Sequence, residues 1–411
     1  MAQPLLRVPG FAIYLIARFL VGLTLRALVL AVSFHVYELT NDPIALGYVG
    51  LAMFLPVVGL GLVAGDLLDR FNRASMLIIS SLLGTACALG FFFITIGGTT
   101  AIWPFYVLIA LFGVSFTFAR PAMPALVPQL VGSAELTRGI AMASSTSQMA
   151  TMLGPPVAGA LLIAGPEAAY AVTAFFSFIA AVFWLTLRPQ AGSDIPARSE
   201  QSMRRRIADG LRIVFRTPLI LGCMSLDLFA MLLGSVVALL PIFARDILMV
   251  GPFGLGLLRA APAVGATLMA IALSRFMAPR PAGAIMLGSV ACFGLAIVVF
   301  GLSTNIVLSL AALAVSGSFD MLSNVLRNTV VQLSAPNAIR GRVNAVNQLF
   351  ISGSNELGDF RAGVSAGLLG TIPAVMVGAI GTMAVAAAWA VVFPSLRKLD
   401  RVSDVRDQTG E

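Results

Sequence analysis

Long apolar segments alternate with short polar connections along the whole chain. Each apolar segment has about 20 residues or more, which is enough for a helix to cross a hydrocarbon core of about 30 Å. Tight connections, such as the Gly-Gly-Thr-Thr at 97–100, separate neighbouring segments. The pattern predicts twelve membrane-spanning helices, at 10–36, 44–66, 74–96, 102–127, 139–164, 167–187, 219–244, 254–275, 282–302, 305–328, 342–369 and 373–395.

The composition is that of a chain surrounded by lipid. Of the 411 residues, 59% are hydrophobic and only 11% are charged, and the mean hydropathy is +0.96. Soluble domains carry roughly 25% charged residues, so this chain lacks the charge that a water-exposed surface needs. The three cysteines lie inside apolar segments and there is one histidine, which indicates neither a disulfide framework nor a metal site. We therefore expect an all-α polytopic membrane protein with no metal and no cofactor.

The basic residues lie almost entirely on one side of the predicted helices. With the N-terminus inside, the inner connections and both tails hold nineteen arginines and lysines, whereas the outer connections hold only Arg245. This bias predicts that both termini are cytoplasmic. Because membrane topology accounts for the net charge of +8, that charge does not indicate nucleic-acid binding. The strong excess of arginine over lysine is typical of a GC-rich bacterial genome, so we expect the bacterial inner membrane.

One long polar segment divides the predicted helices into two groups of six. The division gives an N-terminal six-helix bundle at 1–187, a basic cytoplasmic linker at 188–217, a C-terminal six-helix bundle at 218–396 and a cytoplasmic tail at 397–411. Within the linker, a basic and partly amphipathic stretch runs from Met203 to Arg216. We expect this stretch to lie on the membrane face, and a regulatory or partner-binding role is the alternative.

The two groups of helices resemble each other in sequence. An offset of 204 residues places Arg138 on Arg342 and Gly154 on Gly358, and the small residues around both glycines recur every four positions. Such a narrow helix face lets another helix approach closely in lipid. Parallel repeats around a central cavity near the bilayer midplane are a known transporter plan.

A short motif between the second and third predicted helices resembles a family signature. The sequence from 65 to 73 is Gly-Asp-Leu-Leu-Asp-Arg-Phe-Asn-Arg, which is similar to the G-x-x-x-D-R-x-G-R-[RK] pattern of the major facilitator superfamily. Asn72 replaces the second glycine of that pattern and Ala74 the last basic residue. The resemblance implies a polar latch that favours one conformation, formed by Gly65, Asp69, Arg70 and Arg73.

The resemblance extends over almost the whole chain. The pattern RGRVNAVNQLFISGSNELGDFRAG at 340–363 is similar to a bacterial branch that includes enterobactin-type siderophore exporters and macrolide-type efflux proteins. Gly154, Pro155 and Gly159 lie in a segment that partly matches the G-P-x-x-G-G element of drug–proton antiporters. The family relationship implies two six-helix pseudo-symmetric halves around a central cavity, twelve spans and no enzymatic activity.

Charged residues inside the predicted helices are the candidate functional groups, because ionisable side chains are costly in a membrane. Arg18 and Arg26 are about two helical turns apart and so share one face of the first helix. The candidates for proton coupling are Asp227, Glu356 and Asp359. The candidates for lining the cavity or contacting substrate are Arg18, Arg26, Arg120, Asp320, Arg327 and Asn355.

The sequence leaves a structural role open for the same charges. Glu356 and Asp359 can instead pair with Arg327 or Arg361 to fix the helix bundle, since opposite charges neutralise each other in a low dielectric. His35, close to the outer end of the first helix, is expected to be a solvated interfacial residue rather than a proton relay.

These observations favour a secondary active transporter that works by alternating access. We expect a monomeric, proton-driven exporter of an amphipathic small molecule, such as a siderophore or a lipophilic drug, with the lipid bilayer as its other partner. Import of an anionic metabolite, a siderophore or a lysolipid is the alternative, and a passive channel or lipid scramblase a more remote one. The chain lacks a recognisable nucleophile–base set and a nucleotide-binding loop, which argues against a membrane enzyme.

Overall fold

The computed structural model describes residue 8 and residues 10–68, 72–132, 135–187, 203–275, 280–334 and 340–400. These residues are almost entirely helical, and no strand occurs among them. In chain order the helices are α1 (Phe11–Thr40), α2 (Pro43–Leu68), α3 (Arg73–Ile96), α4 (Trp103–Leu130), α5 (Leu136–Leu162), α6 (Pro166–Thr186), α7 (Met203–Arg216), α8 (Pro218–Gly234), α9 (Leu240–Ile242), α10 (Gly251–Arg275), α11 (Ala282–Leu302), α12 (Ile306–Ser334), α13 (Arg340–Leu369), α14 (Thr371–Val392) and α15 (Pro394–Arg397).

The predicted all-α polytopic fold is confirmed. Within the described ranges, 10 helical segments are long and apolar enough to cross a membrane. The predicted fifth and eleventh spans form the long helices α5 and α13, but both are too rich in polar and small residues to be recognised by their apolar character alone. They are the two helices on which the sequence repeat places its matching arginines and small-residue faces.

The predicted seventh span, at 219–244, is broken instead of continuous. Helix α8 ends at Gly234, Ser235 has an extended backbone, and a 3₁₀ turn at Val237–Leu239, the short helix α9 and a π turn at Phe243–Ile247 follow. Glycine weakens a helix interior, and Pro241 in α9 has no N–H to donate. The break leaves carbonyl groups that need partners from outside the helix.

One compact unit consists mainly of helices from the first half of the chain. Unit 1 comprises Met1–Asn41, Leu51–Met203 and Gly251–Ala260. In it α1 packs against α5 and α6, and α3 packs against α4 and α6. Its buried core includes Tyr14 and Trp184, whose rings meet edge to face with centroids 5.9 Å apart.

The second compact unit consists mainly of helices from the second half. Unit 2 comprises Asp42–Gly50, Arg204–Val250 and Ala261–Glu411. In it α11 packs against α12 and α14, and α8 packs against α13 and α14. Val214 of α7 is buried in the core of this unit, whereas Phe215 is 64% exposed.

The predicted linker at 188–217 divides the chain into two halves. Two short segments, however, each group with the unit that consists mainly of the other half. The start of α2 (Asp42–Gly50) belongs to unit 2, and the start of α10 (Gly251–Ala260) belongs to unit 1. Glycines permit both contacts. A Cβ atom on Gly363 would lie 2.7 Å from the backbone nitrogen of Gly47, and one on Gly159 would lie 2.6 Å from the carbonyl oxygen of Pro252.

We expect Gly317→Val to destabilise unit 2, because a Cβ atom at Gly317 would collide with the carbonyl group of Pro262 on α10. Overpacking of this kind costs about 1–3 kcal/mol, so the apparent melting temperature of the purified protein should fall. The matched control is Gly288→Val, since Gly288 is a helical glycine with open space around its Cβ position. Equal melting temperatures for the two variants would contradict the packing interpretation.

Candidate transport site

Three arginines line one cavity within unit 1. Arg18 and Arg26 come from α1 and Arg120 from α4, and Ser147 and Thr151 of α5 complete the polar part of the lining. Eight residues separate Arg18 from Arg26, slightly more than two helical turns, so one face of α1 carries both. The cavity has a volume of about 180 Å³, which corresponds to roughly six water molecules at about 30 Å³ each.

Neutral groups hold the guanidinium group of Arg18 in place. Its Nε donates to the carbonyl oxygen of Ala143 at 3.0 Å and to Oγ of Ser147 at 2.8 Å, and its Nη1 donates to the Tyr14 hydroxyl at 3.0 Å. Within the part of the chain that the structure describes, no carboxylate lies within ion-pair distance of Arg18. The positive charge of Arg18 is therefore oriented by hydrogen bonds, and none of the described acids forms an ion pair with it.

The wall of this cavity combines charge with apolar surface. Val21 and Leu25 of α1 and Phe116 and Met123 of α4 form the apolar part of the lining. Guanidinium groups bind carboxylate and other oxyanions through two parallel hydrogen bonds. The arrangement can hold the acidic or strongly polar end of an amphipathic molecule while the apolar side chains contact its remainder.

A buried ion pair connects α8 and α12 in unit 2. Nη2 of Arg327 lies 2.7 Å from Oδ1 of Asp227, and the two side chains are only 3% and 7% exposed. Nη1 of Arg327 also lies 3.4 Å from the hydroxyl of Ser323. The sequence left open a pairing of Arg327 with Glu356 or Asp359, and the structure shows Arg327 paired with Asp227.

A second carboxylate lies close to this pair. Asp320 is seven residues before Arg327 on α12, which places it two turns away on the same face. It interacts electrostatically with both Arg327 and Asp227. Long side chains on a helix point back toward its N-terminus, so the Arg327 guanidinium extends toward Ser323 and Asp320. Two acidic groups thus share one positive charge.

Residues of α13 support the break that follows α8. Nη2 of Arg361 donates to the carbonyl oxygen of Leu233 at 2.6 Å, and the Ser235 hydroxyl donates to the carboxylate of Asp359. These contacts supply partners for polar groups that a continuous helix would have satisfied by itself. Asp359 and Arg361 therefore bind the broken span, and they also interact electrostatically with each other.

The two other polar candidates on α13 are Glu356 and Asn355. Glu356 is half-buried, and its Oε2 lies 3.8 Å from the position that a Cβ atom on Gly50 would occupy. Asn355 is exposed. Two of the acids predicted to couple to protons thus have specific partners in unit 2. Asp227 pairs with Arg327, and Asp359 accepts a hydrogen bond from Ser235.

The latch motif lies only partly within the described residues. Asp69 and Arg70 fall outside them, and Gly65 lies on α2. Arg73 begins α3, and its Nη1 donates to the carbonyl oxygen of Ala125 near the end of α4 at 3.0 Å. An arginine at this place stabilises a helix C-terminus, where carbonyl groups lack helical partners.

The residues of the antiporter-like element lie at close helix contacts. A Cβ atom on Gly154 would lie 2.6 Å from Cβ of Arg26, so α5 approaches α1 beside the arginine-lined cavity. Pro155 is buried, and its carbonyl oxygen lies 2.5 Å from the Cβ position of Gly256. Together with the contact of Gly159 to Pro252, these distances place α5 tightly against α1 and the start of α10.

The expectation of a solvated His35 is wrong. Its side chain is 7% exposed, and its Nδ1 lies 3.2 Å from the hydroxyl of Tyr170. The ring of Phe105 packs edge-on at a centroid distance of 5.1 Å. Aromatic residues of α4 and α6 cover the histidine, and the sequence around His35 does not predict these contacts.

A chain of amide side chains was not recognised from the sequence. Nδ2 of Asn347 donates to Oδ1 of Asn328 at 3.0 Å, and Asn328 donates in turn to Asn324. The signal for it was present, because Asp320, Asn324, Asn328 and Gln332 follow one another at four-residue spacing and so share one face of α12.

The fold and the charged groups inside its spans define a polytopic helical membrane protein of the transporter class. A family model described as Major Facilitator Superfamily matches residues 14–358. The chain belongs to the Major Facilitator Superfamily.

The chain is similar to named bacterial exporters. It is 29% identical over 379 residues to the enterobactin exporter EntS of Shigella boydii serotype 18 and, to the same extent, to that of Escherichia coli, with 90% of this chain and 86% of each relative covered. In fold it is similar to a bacterial homologue of the human lysosomal transporter Spinster. The TM-score is 0.75 at 13% identity, with 100% of this chain and 99% of that chain covered.

We expect Arg327→Met to destabilise the protein, because the buried carboxylate of Asp227 would lose its partner. Breaking a buried pair from one side typically costs about 3–5 kcal/mol, and a combined Asp227→Leu and Arg327→Met variant should recover most of that loss. The measurement is the apparent melting temperature of each purified variant. Arg245→Met is the control, since its pair with Asp246 is partly exposed and 3.7 Å long. A double variant no more stable than Arg327→Met would contradict this interpretation.

Proposed function

We propose that the protein is a proton-coupled secondary transporter that exports an amphipathic small molecule, such as a siderophore or a lipophilic drug, by alternating access. The observation that carries this proposal is the cavity in unit 1, which combines Arg18, Arg26 and Arg120 with apolar side chains of α1 and α4. An amphipathic molecule with an acidic or strongly polar end matches both parts of that lining.

Two further observations support the proposed direction and substrate class. The similar proteins named above are enterobactin exporters. The arginine bias predicts that both termini are cytoplasmic, and our proposal is that the chain acts as a monomer in the bacterial inner membrane. Driving the export uphill requires an ion gradient, and the acids within the spans of unit 2 are the groups that can carry a proton.

Transport in proteoliposomes tests the proposal. Purified protein is reconstituted with its cytoplasmic face outward, and enterobactin and the lipophilic cation ethidium serve as probes. An acidic lumen should drive accumulation of one of them, because protons leaving the lumen exchange for substrate entering it. Transport that ignores every ion gradient would refute the coupling. Movement only out of the lumen would indicate an importer, and flux without saturation or counterflow would indicate a channel or scramblase.

We expect Arg26→Gln to weaken binding of an acidic substrate. Loss of one charge-assisted hydrogen bond costs about 1.5–3 kcal/mol, which corresponds to an increase of roughly tenfold or more in the half-saturating concentration. Arg212→Gln, an exposed position on α7, removes the same charge away from the cavity and is the control. The readout is the concentration dependence of enterobactin transport. A half-saturating concentration that matches the control would contradict a role for the cavity.

A further inference from the structure

The group of Asp227, Asp320 and Arg327 in unit 2 contains two acids and one base. Asp227 and Arg327 form the buried pair at 2.7 Å, and Asp320 interacts electrostatically with both. One guanidinium can neutralise one carboxylate, so the second acid must take up a proton or compete for the guanidinium. If both acids were charged, one negative charge would lack a partner. Keeping both acids charged in this buried group therefore costs free energy.

Asp320 differs from its neighbours in exposure. It lies on the packed face of α12 with Ser316, Ser323 and Arg327, each of which is 2% exposed. Asp320 itself is only half-buried. Asp320 is thus the least enclosed of these four residues.

Few other ionisable groups face this position. Helix α8 contributes Asp227 and Cys223, and the latter also interacts electrostatically with Arg327. Helix α11 contains no acidic or basic residue, and neither does the stretch 261–274 of α10. Helix α13 meets α12 through the amide of Asn347. Among the described residues, the charged groups that interact with Asp320 are therefore Asp227 and Arg327.

A polar stripe leads from Asp320 along α12. It consists of Asn324, Asn328 and Gln332, each four residues after the last, and Asn347 of α13 extends it sideways. Amide groups both donate and accept hydrogen bonds, so they can hold and orient water molecules between them. The stripe ends near the start of α13, on the side that the arginine bias predicts to be cytoplasmic.

We propose that Asp320 is the proton-binding carboxylate of the transport cycle and that Arg327 moves between Asp227 and Asp320 as that proton binds and leaves. This inference rests on the proposed proton coupling. With Asp320 protonated, Arg327 pairs with Asp227, which is the arrangement in the structure. When the O–H bond of Asp320 breaks, the proton passes to water along the stripe, and the new carboxylate draws Arg327 toward itself.

The switch provides a physical link between proton movement and helix position. Asp227 lies on α8, while Asp320 and Arg327 lie on α12. Shifting the guanidinium from one acid to the other weakens the charge-assisted contact between these helices and replaces it with a contact within α12. Loss of the proton thereby loosens α8 from α12, directly before the break that begins after Gly234.

Asp320→Asn tests the proposal in the proteoliposomes described above. The variant should lose accumulation of enterobactin driven by an acidic lumen while it continues to exchange enterobactin in counterflow, since exchange needs no net proton release. Asp320→Glu should restore part of the driven accumulation. Asp246→Asn, which removes a partly exposed acid from the same unit, is the control and should behave like the unchanged protein.

A spectroscopic measurement tests proton binding without transport. Infrared difference spectra of the purified protein between mildly acidic and neutral pH should contain a protonated-carboxyl C=O band that shifts on ¹³C-aspartate labelling. This band should be absent from Asp320→Asn and present in Asp246→Asn. A labelled band that persists in Asp320→Asn, with no labelled component lost, would overturn the assignment to Asp320.

The outcomes separate this inference from the proposed function. If accumulation by the unchanged protein ignores the pH gradient, the proposed proton coupling fails. If the gradient drives both the unchanged protein and Asp320→Asn, only the role of Asp320 fails. Asn324→Leu keeps Asp320 and interrupts the stripe, so it should slow driven accumulation and spare counterflow, even if Asp320→Asn does not fold. Driven accumulation at the unchanged rate in Asn324→Leu would contradict the polar route.

Discussion

Every polar group that this chain places within lipid needs a partner from the protein itself, and this constraint governs the rest of the structure. Helices meet it for the backbone, because each N–H group finds a carbonyl group four residues earlier. Where α8 ends inside a predicted span, Arg361 and Asp359 provide the missing partners from α13. Asp359 and Arg361, two charged residues in an apolar sequence, thus stabilise a break in another helix.

The charged residues of the two units differ in the partners that this constraint gives them. In unit 1, Arg18 is held by a carbonyl oxygen and two hydroxyl groups, so its charge is directed into a cavity. In unit 2, Arg327 faces carboxylates and is closed off from the surroundings. One unit thus has a positive charge beside a cavity, whereas the other has a buried ion pair with a second acid nearby. A division of labour between substrate binding and energy coupling is consistent with this difference.

Much of the architecture follows from the sequence, because span length and small-residue spacing are local properties. The positions of α5 and α13 were predicted from the apolar segments between turn signals, although their polar residues make them poor spans by composition. The face shared by Arg18 and Arg26 was also predictable, as helical periodicity fixes it. Such inferences need no knowledge of which helices are neighbours.

Contacts between distant helices could not be predicted in the same way. The partner of Arg327 depends on whether α8 or α13 lies nearest to its guanidinium, and no local pattern records that choice. His35 is buried because Phe105 and Tyr170 come from two other helices. The break after Gly234 was missed because its stabilising groups lie more than 120 residues away, at Asp359 and Arg361. The amide stripe on α12, by contrast, was readable from its spacing.

The glycines at helix contacts have a consequence for how genetic data on this protein should be interpreted. Gly113, Gly265 and Gly317 each lie where a Cβ atom would press on the backbone of another helix, so even alanine is poorly accommodated there. In a saturation screen for transport, these positions would be as intolerant as the arginines of the cavity, although they touch no substrate. Abundance at the membrane, measured for each variant alongside transport, would distinguish the architectural positions from the chemical ones.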